Sequence, residues 1–321
     1  MSETESEAQT ETRAGFAAII GAPNAGKSTL VNRLVGSKVS IVTQKVQTTR
    51  FPVKGVAIEG ASQIVLIDTP GIFKPRRRLD RAMVRAAWGG AEDADAVVHL
   101  VDANSEIAVA DGKGSAGDRR CVEDTAAIVE ALPKEGERKA ILALNKIDLV
   151  RRDQLLALSQ RLFDSGAYGE VFMISAANGS GVDDLKARLA ALMPVGPWLY
   201  PEDQTADLPA RLLAAEITRE KLYLRVHEEL PYAAAVETTA FEEAKGGAVR
   251  IEQTIYVERE SQRPIVLGKG GQTLKWIGEN ARKDLIEILG QPVHLFLLVK
   301  VMENWSEARE FYSGIGLDFD V

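Results

Sequence analysis

The chain has 321 residues, 45% of them apolar and 26% charged, with a formal net charge of −7. That length leaves room for two domains, the composition is that of a globular protein, and no apolar run nears the roughly 20 residues of a membrane helix. The single cysteine, Cys121, excludes an internal disulfide and fits a reducing cytosol.

The first stretch, 1–13, carries Glu3, Glu5, Glu7 and Glu11. An acidic start is the opposite of a targeting leader, and a disordered acidic tail is expected there. Phe16 to Ile20 then reads as a buried strand and Thr29 to Val35 as a helix. Between them lies Gly21-Ala22-Pro23-Asn24-Ala25-Gly26-Lys27-Ser28, the spacing G-x-x-x-x-G-K-S. A strand–loop–helix of this form wraps backbone N–H groups around phosphate oxygens, with the helix dipole behind them. Lys27 is expected to reach the β- and γ-phosphates and Ser28 to hold Mg²⁺, with Thr29 beside them.

Residues 36–52 are polar without a period and read as a mobile loop containing Thr48, Thr49 and Arg50. Val53 to Glu59 and Gln63 to Ile67 read as paired strands. The second runs into Asp68-Thr69-Pro70-Gly71-Ile72. An acid at a strand's carboxyl end beside a phosphate loop is placed to hold Mg²⁺ through water, and the Gly71 N–H to meet a γ-phosphate. Lys74 to Arg85 follows, with six bases and one acid. It is either a solvated mobile segment or a phosphate-binding surface, and it leads into a helix over 80–88. Ala96 to Val101 is a further buried strand, 104–118 reads as a surface insertion, and 122–132 as a helix.

Lys139 to Leu144 is another strand and ends in Asn145-Lys146-Ile147-Asp148. A carboxylate accepts from guanine N1–H and its exocyclic amine, a donor pair that adenine lacks. Asp148 therefore selects guanine, Asn145 holds neighbouring loops, and the Lys146 stem covers the ring. After the strand Val171 to Ile174, the Ser175-Ala176-Ala177 turn is expected to offer the Ala176 N–H to guanine O6, and the helix 182–192 closes the domain. Strands alternating with helices imply a mostly parallel sheet covered on both faces, an α/β domain over 14–195 that carries the P-loop, with its ligand at the strands' carboxyl ends.

These motifs resemble those of the translation-factor-like GTPases. The loop form G-x-P-N-x-G-K-S is similar to the branch that holds the Era family. The resemblance implies GTP hydrolysis to GDP by in-line attack of water, with catalysis by positioning and electrostatics. Lys27, Gly71 and Thr49 are then catalytic, and Thr49 joins Ser28 and Asp68 on Mg²⁺ in the GTP state. Where Ras-type proteins carry a water-orienting Gln, this chain has Ile72. The resemblance points instead to K⁺, with Asn24 at the position that binds it in relatives.

Pro and acids between 196 and 208 mark a linker. Beyond it, 210–230 reads as a long helix, and Tyr232 to Thr239 and Val249 to Glu258 as strands. Gly268-Lys269-Gly270-Gly271 precedes the helix 272–281, then a second helix 282–289 and a strand over 293–301. G-x-x-G ahead of a helix is the backbone-clamping loop of KH domains. The element order fits an α+β type II KH domain over 209–303, with 304–321 as a tail. Lys269, Lys275, Ile277, Arg282 and Lys283 join the loop as expected RNA contacts. A GTPase domain followed by a KH domain resembles the Era family of ribosome-assembly GTPases, supported by Val257-Glu258-Arg259, Ile277-Gly278 and Trp305. That resemblance implies binding to the 3′ end of 16S rRNA, assistance to small-subunit assembly, a monomer, and a cytoplasmic protein partly peripheral on the inner membrane. The alternative is a membrane-associated regulatory GTPase coupling growth or cell cycle, with RNA binding secondary. No second catalytic constellation appears, because His99, His227 and His294 are scattered.

Overall fold

The structure, a computed structural model, describes residues 11–321 except 44, 46, 137, 138, 227–229 and 245. Most of the acidic tail, His227 and Glu229 fall outside the described residues.

The first domain follows the apolar runs. Its elements are β1 (Arg13–Ile20), α1 (Lys27–Val35), β2 (Val53–Glu59), β3 (Ser62–Asp68), α2 (Arg78–Glu92), β4 (Ala96–Asp102), α3 (Ala103–Ala110), α4 (Ala116–Ala131), β5 (Ala140–Asn145), α5 (Arg152–Phe163), β6 (Tyr168–Met173) and α6 (Val182–Leu192). A short seventh strand, β7 (Ala206–Asp207), completes the sheet, whose order is β6-β5-β4-β1-β3-β2-β7. The run from β6 to β3 is parallel, whereas β2 is antiparallel to β3. Continuous apolar strands such as Ile64 to Ile67 are buried on both faces, as a sheet covered by helices on each side requires. Chain order reverses beside β1, so the loops after β1, β3 and β5 converge at one crevice.

Three expectations are corrected here. The segment 104–118 is not an insertion loop. Asp102 caps α3 by accepting from Ser105 N at 3.1 Å, and Ser115 caps α4 by accepting from Asp118 N. The linker is not a free tether. Trp198 Nε1 donates to Ala61 O at 3.0 Å, and Gln63 Oε1 accepts from Leu199 N and Tyr200 N at 2.8 and 3.0 Å. Its end, β7, pairs with β2 and covers that edge of the sheet. Arg13, expected in the tail, begins β1 and donates to Met193 O at 2.9 Å.

The second domain comprises α7 (Ala210–Arg225), β8 (Ala234–Ala244), β9 (Ala248–Val257), α8 (Arg263–Leu267), α9 (Gln272–Leu289) and β10 (Val293–Val301). Its sheet order is β10-β9-β8, with β9–β10 parallel and β8–β9 antiparallel. The two helices expected over 272–289 are one, α9. The paired helices of the type II order are α8 and α9, flanking the G-x-x-G loop.

Residues 304–321 are folded, not a tail. A short turn of helix at Trp305–Glu307 leads to α10 (Arg309–Gly314). Trp305 is 1% exposed and donates Nε1 to Ala233 O at 3.0 Å. With Tyr312 and Leu317 it forms a core with Phe51, Val53, Leu79 and Met83 of the first domain and Ala235 of the second. Burying a tryptophan and a tyrosine between domains contributes several kcal/mol at about 25 cal/mol per Å².

Candidate nucleotide and RNA sites

The loop after β1 is built for close approach. Gly26 has φ +103°, and a Cβ there would fall 2.4 Å from Asn145 Nδ2. Lys27 is 6% exposed, with Nζ donating to Gly21 O and Ala22 O at 3.1 and 2.9 Å. Burial pulls its pKa down to about 8, with nearby Asp68 acting in the opposite direction.

Three oxygens meet beside it. Ser28 Oγ donates to Asp68 Oδ2 at 2.7 Å and lies 2.9 Å from Thr49 Oγ1, which in turn donates to Asp68 at 3.3 Å. Burial raises the Asp68 pKa, against hydrogen bonds from Ser28 and the charge of Lys27. Asp68 Oδ1 is buried with no protein partner. A buried carboxylate with an unused oxygen and two hydroxyls within hydrogen-bond reach is the hard-oxygen donor set that suits Mg²⁺.

Gly71 lies against the phosphate loop, since a Cβ on it would come within 2.9 Å of Pro23. Ile72 donates N–H to Gly21 O at 3.0 Å and its side chain is core, so it cannot orient water. Ala22, Ala25, Thr69, Pro70 and Ser175 are buried as well. Thr69 Oγ1 donates to Ile19 O at 2.7 Å, so its side chain braces β1 against β3 and leaves only backbone for a ligand. Asn24 is exposed in the loop with φ +63°.

Asn145 ties the loops together as expected. Its Nδ2 donates to Ala25 O at 2.7 Å and its Oδ1 accepts from Ala176 N at 2.9 Å. This corrects the expectation for Ala176, whose amide is engaged inside the protein and not directed to guanine O6. Asp148 is exposed beyond β5, and Ala177 is exposed beyond β6. Lys146 adopts φ +64° and its Nζ binds buried Asp102. Asp102 went unnoticed in the sequence. The available signal was its place at the carboxyl end of β4, level with the recognised motifs.

In the second domain the loop Gly268 to Gly271 carries φ +72°, +60° and +78° at its three glycines, and nothing lies within 4 Å of a Cβ built on Gly270. Lys269 is exposed. A shallow groove of about 380 Å³ runs from Gly271 along Leu274, Lys275, Gly278, Glu279 and Arg282 of α9, with Leu295 and Leu297 of β10 as its floor. Lys275 is 3.9 Å from Glu279. Ile277, expected to touch RNA, is 0% exposed and part of the core. Lys275, Gly278, Glu279 and Arg282 follow one face of α9, whereas Ile277 follows another with buried Ala281 and Leu285. Lys283 is exposed but outside the groove lining.

The loop 36–52 ties the nucleotide site to the second domain. Arg219 of α7 is 2% exposed, pairs with Glu216 and donates to Thr48 O. Arg50 donates to Ala234 O and Tyr223 Oη at 3.0 Å each and lies 5.1 Å from the Trp305 ring centre. Lys38 contacts Glu220 at 2.7 Å and Asp284 at 3.1 Å, and Val42 N donates to Glu220 at 2.9 Å. The loop expected to be mobile is thus fastened on both sides of Thr49 to the second domain.

A family model described as 50S ribosome-binding GTPase matches residues 16–146, and a KH-domain model matches 229–306. The GTPase Era of Caulobacter vibrioides is 71% identical over 311 residues, 97% of this chain and 98% of that protein. The chain belongs to the GTPase Era family. Era of Maricaulis maris is 61% identical over 97% of this chain and 99% of its own. A crystal structure of a point variant of Aquifex aeolicus Era bound to GDP·AlF4⁻ matches with TM-score 0.82 and 36% identity, over 95% of this chain and 99% of that one. A crystal structure of Era in complex with MgGDPNP and nucleotides 1506–1542 of 16S ribosomal RNA matches with the same score, identity and coverage. The chain is therefore an Era-family GTPase, with a P-loop GTPase domain followed by a KH domain. Among the described residues no helix is long and apolar enough to cross a membrane.

Proposed function

We propose that this protein is a GTP-driven switch that grips the 3′ end of 16S rRNA with its KH domain and assists maturation of the small ribosomal subunit. The observation that carries the reading is the fastening of the Thr49 loop to α7 through Arg219 and Arg50. A group that senses the γ-phosphate cannot move without disturbing the domain that holds the G-x-x-G loop. The Era complex with a 16S fragment supports RNA of that subunit as the ligand, although the wider GTPase family is described by the 50S ribosome.

In this reading Asp148 accepts from guanine, Lys146 covers the base, and Asn145 holds the phosphate loop at Ala25. Ser28, Thr49 and Asp68 hold Mg²⁺, which when bound neutralises charge on the β- and γ-phosphate oxygens. Lys27 and the Gly71 N–H stabilise the charge that develops as water attacks in line. Asn24 would ligate K⁺, whose charge serves in place of an arginine finger. Lys269 and the loop glycines clamp RNA backbone, and Lys275 and Arg282 flank bases lying over Leu295 and Leu297. The inner-membrane association implied by the family resemblance, and a monomeric state, belong to the same reading.

The test is anisotropy of a labelled 16S 3′-end oligonucleotide with a non-hydrolysable GTP analogue or GDP bound. Tighter binding with the analogue, lost at least 10-fold in Gly270→Asp, is expected. Equal affinity in both nucleotide states, or no loss in the variant, would contradict the proposal.

A further inference from the structure

The basic run Lys74 to Arg85 follows the Asp68–Gly71 loop, and half of it is covered by this same chain. Arg78 Nε donates to Glu307 at 2.9 Å, and its guanidinium lies 4.4 Å from the Phe319 ring centre. Arg78 Nη1 and Arg81 Nε donate to the carbonyl oxygens of Phe319 and Val321 at 3.3 Å each. Arg85 pairs with Asp318 at 3.4 Å. Arg309 holds Asp320 at 3.0 Å, and its guanidinium lies 4.8 Å from the same Phe319 ring centre. Lys74, Arg76 and Arg77 are exposed and form no ion pair among the described residues. The result is a row of guanidinium groups met by carboxylate and carbonyl oxygens spaced along a short peptide. Phosphodiester oxygens would present the same pattern to them.

Magnitudes divide the covering segment in two. Trp305, Tyr312 and Leu317 are buried and hold several kcal/mol of apolar contact. Asp318 and Asp320 have side chains 53% and 68% exposed, and ion pairs of that kind contribute about 0–1 kcal/mol each. Phe319 and Val321 are partly buried against the same core, the Phe319 ring 5.1 Å from that of Tyr312, so a polyanion that displaces residues 318–321 must offset these contacts too, while Trp305 stays seated.

We propose that residues 318–321 act as an intramolecular stand-in for nucleic-acid phosphate. Single-stranded RNA backbone displaces them and binds Arg78, Arg81 and Arg85 together with Lys74, Arg76 and Arg77. The inference rests on the reading of this chain as an RNA-binding protein and adds a second, masked phosphate surface to it. Because α2 begins a few residues after Gly71, RNA held there would touch the nucleotide site's own loop.

The test uses the full chain carrying Gly270→Asp, which removes the KH-loop contribution, and a labelled twelve-nucleotide oligo-uridine. Adding Asp318→Asn and Asp320→Asn should tighten binding about 10-fold at low salt. It should also steepen the salt dependence of log K by about 1.4, the value for two newly available arginines on single-stranded RNA, Arg85 released from Asp318 and Arg309 from Asp320. Further replacement of Arg78, Arg81, Arg85 and Arg309 by Gln should abolish the gain. In the wild type, amide exchange of 318–321 should rise when the oligonucleotide is added. Unchanged affinity and slope, or a gain that survives loss of the arginines, overturns the masking. The wild type is measured in parallel on the 16S 3′-end oligonucleotide. If it binds there through the KH loop while the Asn variant changes nothing, masking alone is refuted. If it fails there while the arginine-dependent gain stands, the KH reading alone is refuted.

Discussion

Replacing Arg219 with Met tests whether the helix α7 reports on the nucleotide loop. Arg219 and Glu216 have side chains 2% and 11% exposed, and Arg219 Nε donates to Glu216 at 2.7 Å. Burial alone would lower the arginine's pKa; the charge and hydrogen bond of Glu216 overcome that and raise it. Removing one partner of a buried pair leaves the other charge uncompensated, a cost of about 3–5 kcal/mol. Replacing both, as Glu216→Leu with Arg219→Met, removes the orphan and should restore stability to within about 1–2 kcal/mol of wild type. Urea unfolding followed by tryptophan fluorescence reads these differences. Both variants lose the bond to Thr48 O, a hydrogen bond from a charged donor contributing about 1.5–3 kcal/mol. The preference of RNA for the GTP state should therefore fall about 10-fold or more in the single and the double variant alike. A double variant as unstable as the single would refute the ion-pair account. An unchanged nucleotide preference would refute the relay.

Asp68→Asn should abolish Mg²⁺-dependent stabilisation by nucleotide, read from melting curves, because the amide lacks the anionic oxygen that a hard cation needs. The raised Asp68 pKa also sets a sign: Mg²⁺ affinity falls as pH drops towards it, because the metal needs the carboxylate, and titrations at several pH values check this. Asp148→Asn should weaken GTP by about 10²–10³-fold through loss of two charge-assisted bonds, measured by equilibrium binding, with the fold unchanged because Asp148 is exposed. Turnover should be faster in K⁺ than in Na⁺ buffer at equal ionic strength, and Asn24→Ala should remove the difference.

The nucleotide motifs were legible because each is a short local signal at the end of an apolar strand. Lys27, Asp68, Asn145 and Asp148 needed only their neighbours in sequence to be placed. What joined them was not local. Arg50 and Arg219 look like solvated charges in the sequence, yet both are buried and donate hydrogen bonds to partners more than 170 residues away. Trp305 and Tyr312 sit in a short polar-looking stretch whose apolar positions make sense only against α2 and Ala235. The short helix α3 has too few residues for a visible period, and its Asp102 cap was its only mark. Ile277 was misplaced because its proximity to G-x-x-G suggested contact, whereas helical phase sends it inward.

The central claim is that GTP and 16S rRNA are linked through this chain's two glycine loops. Crosslinking the protein to total RNA with a GTP analogue bound, then sequencing the crosslinked sites, tests it most directly. The account predicts reads concentrated at the 3′ end of 16S rRNA, depleted in Gly270→Asp and weaker with GDP. Reads spread over other RNAs, or a 16S signal indifferent to nucleotide and to the KH loop, would contradict it.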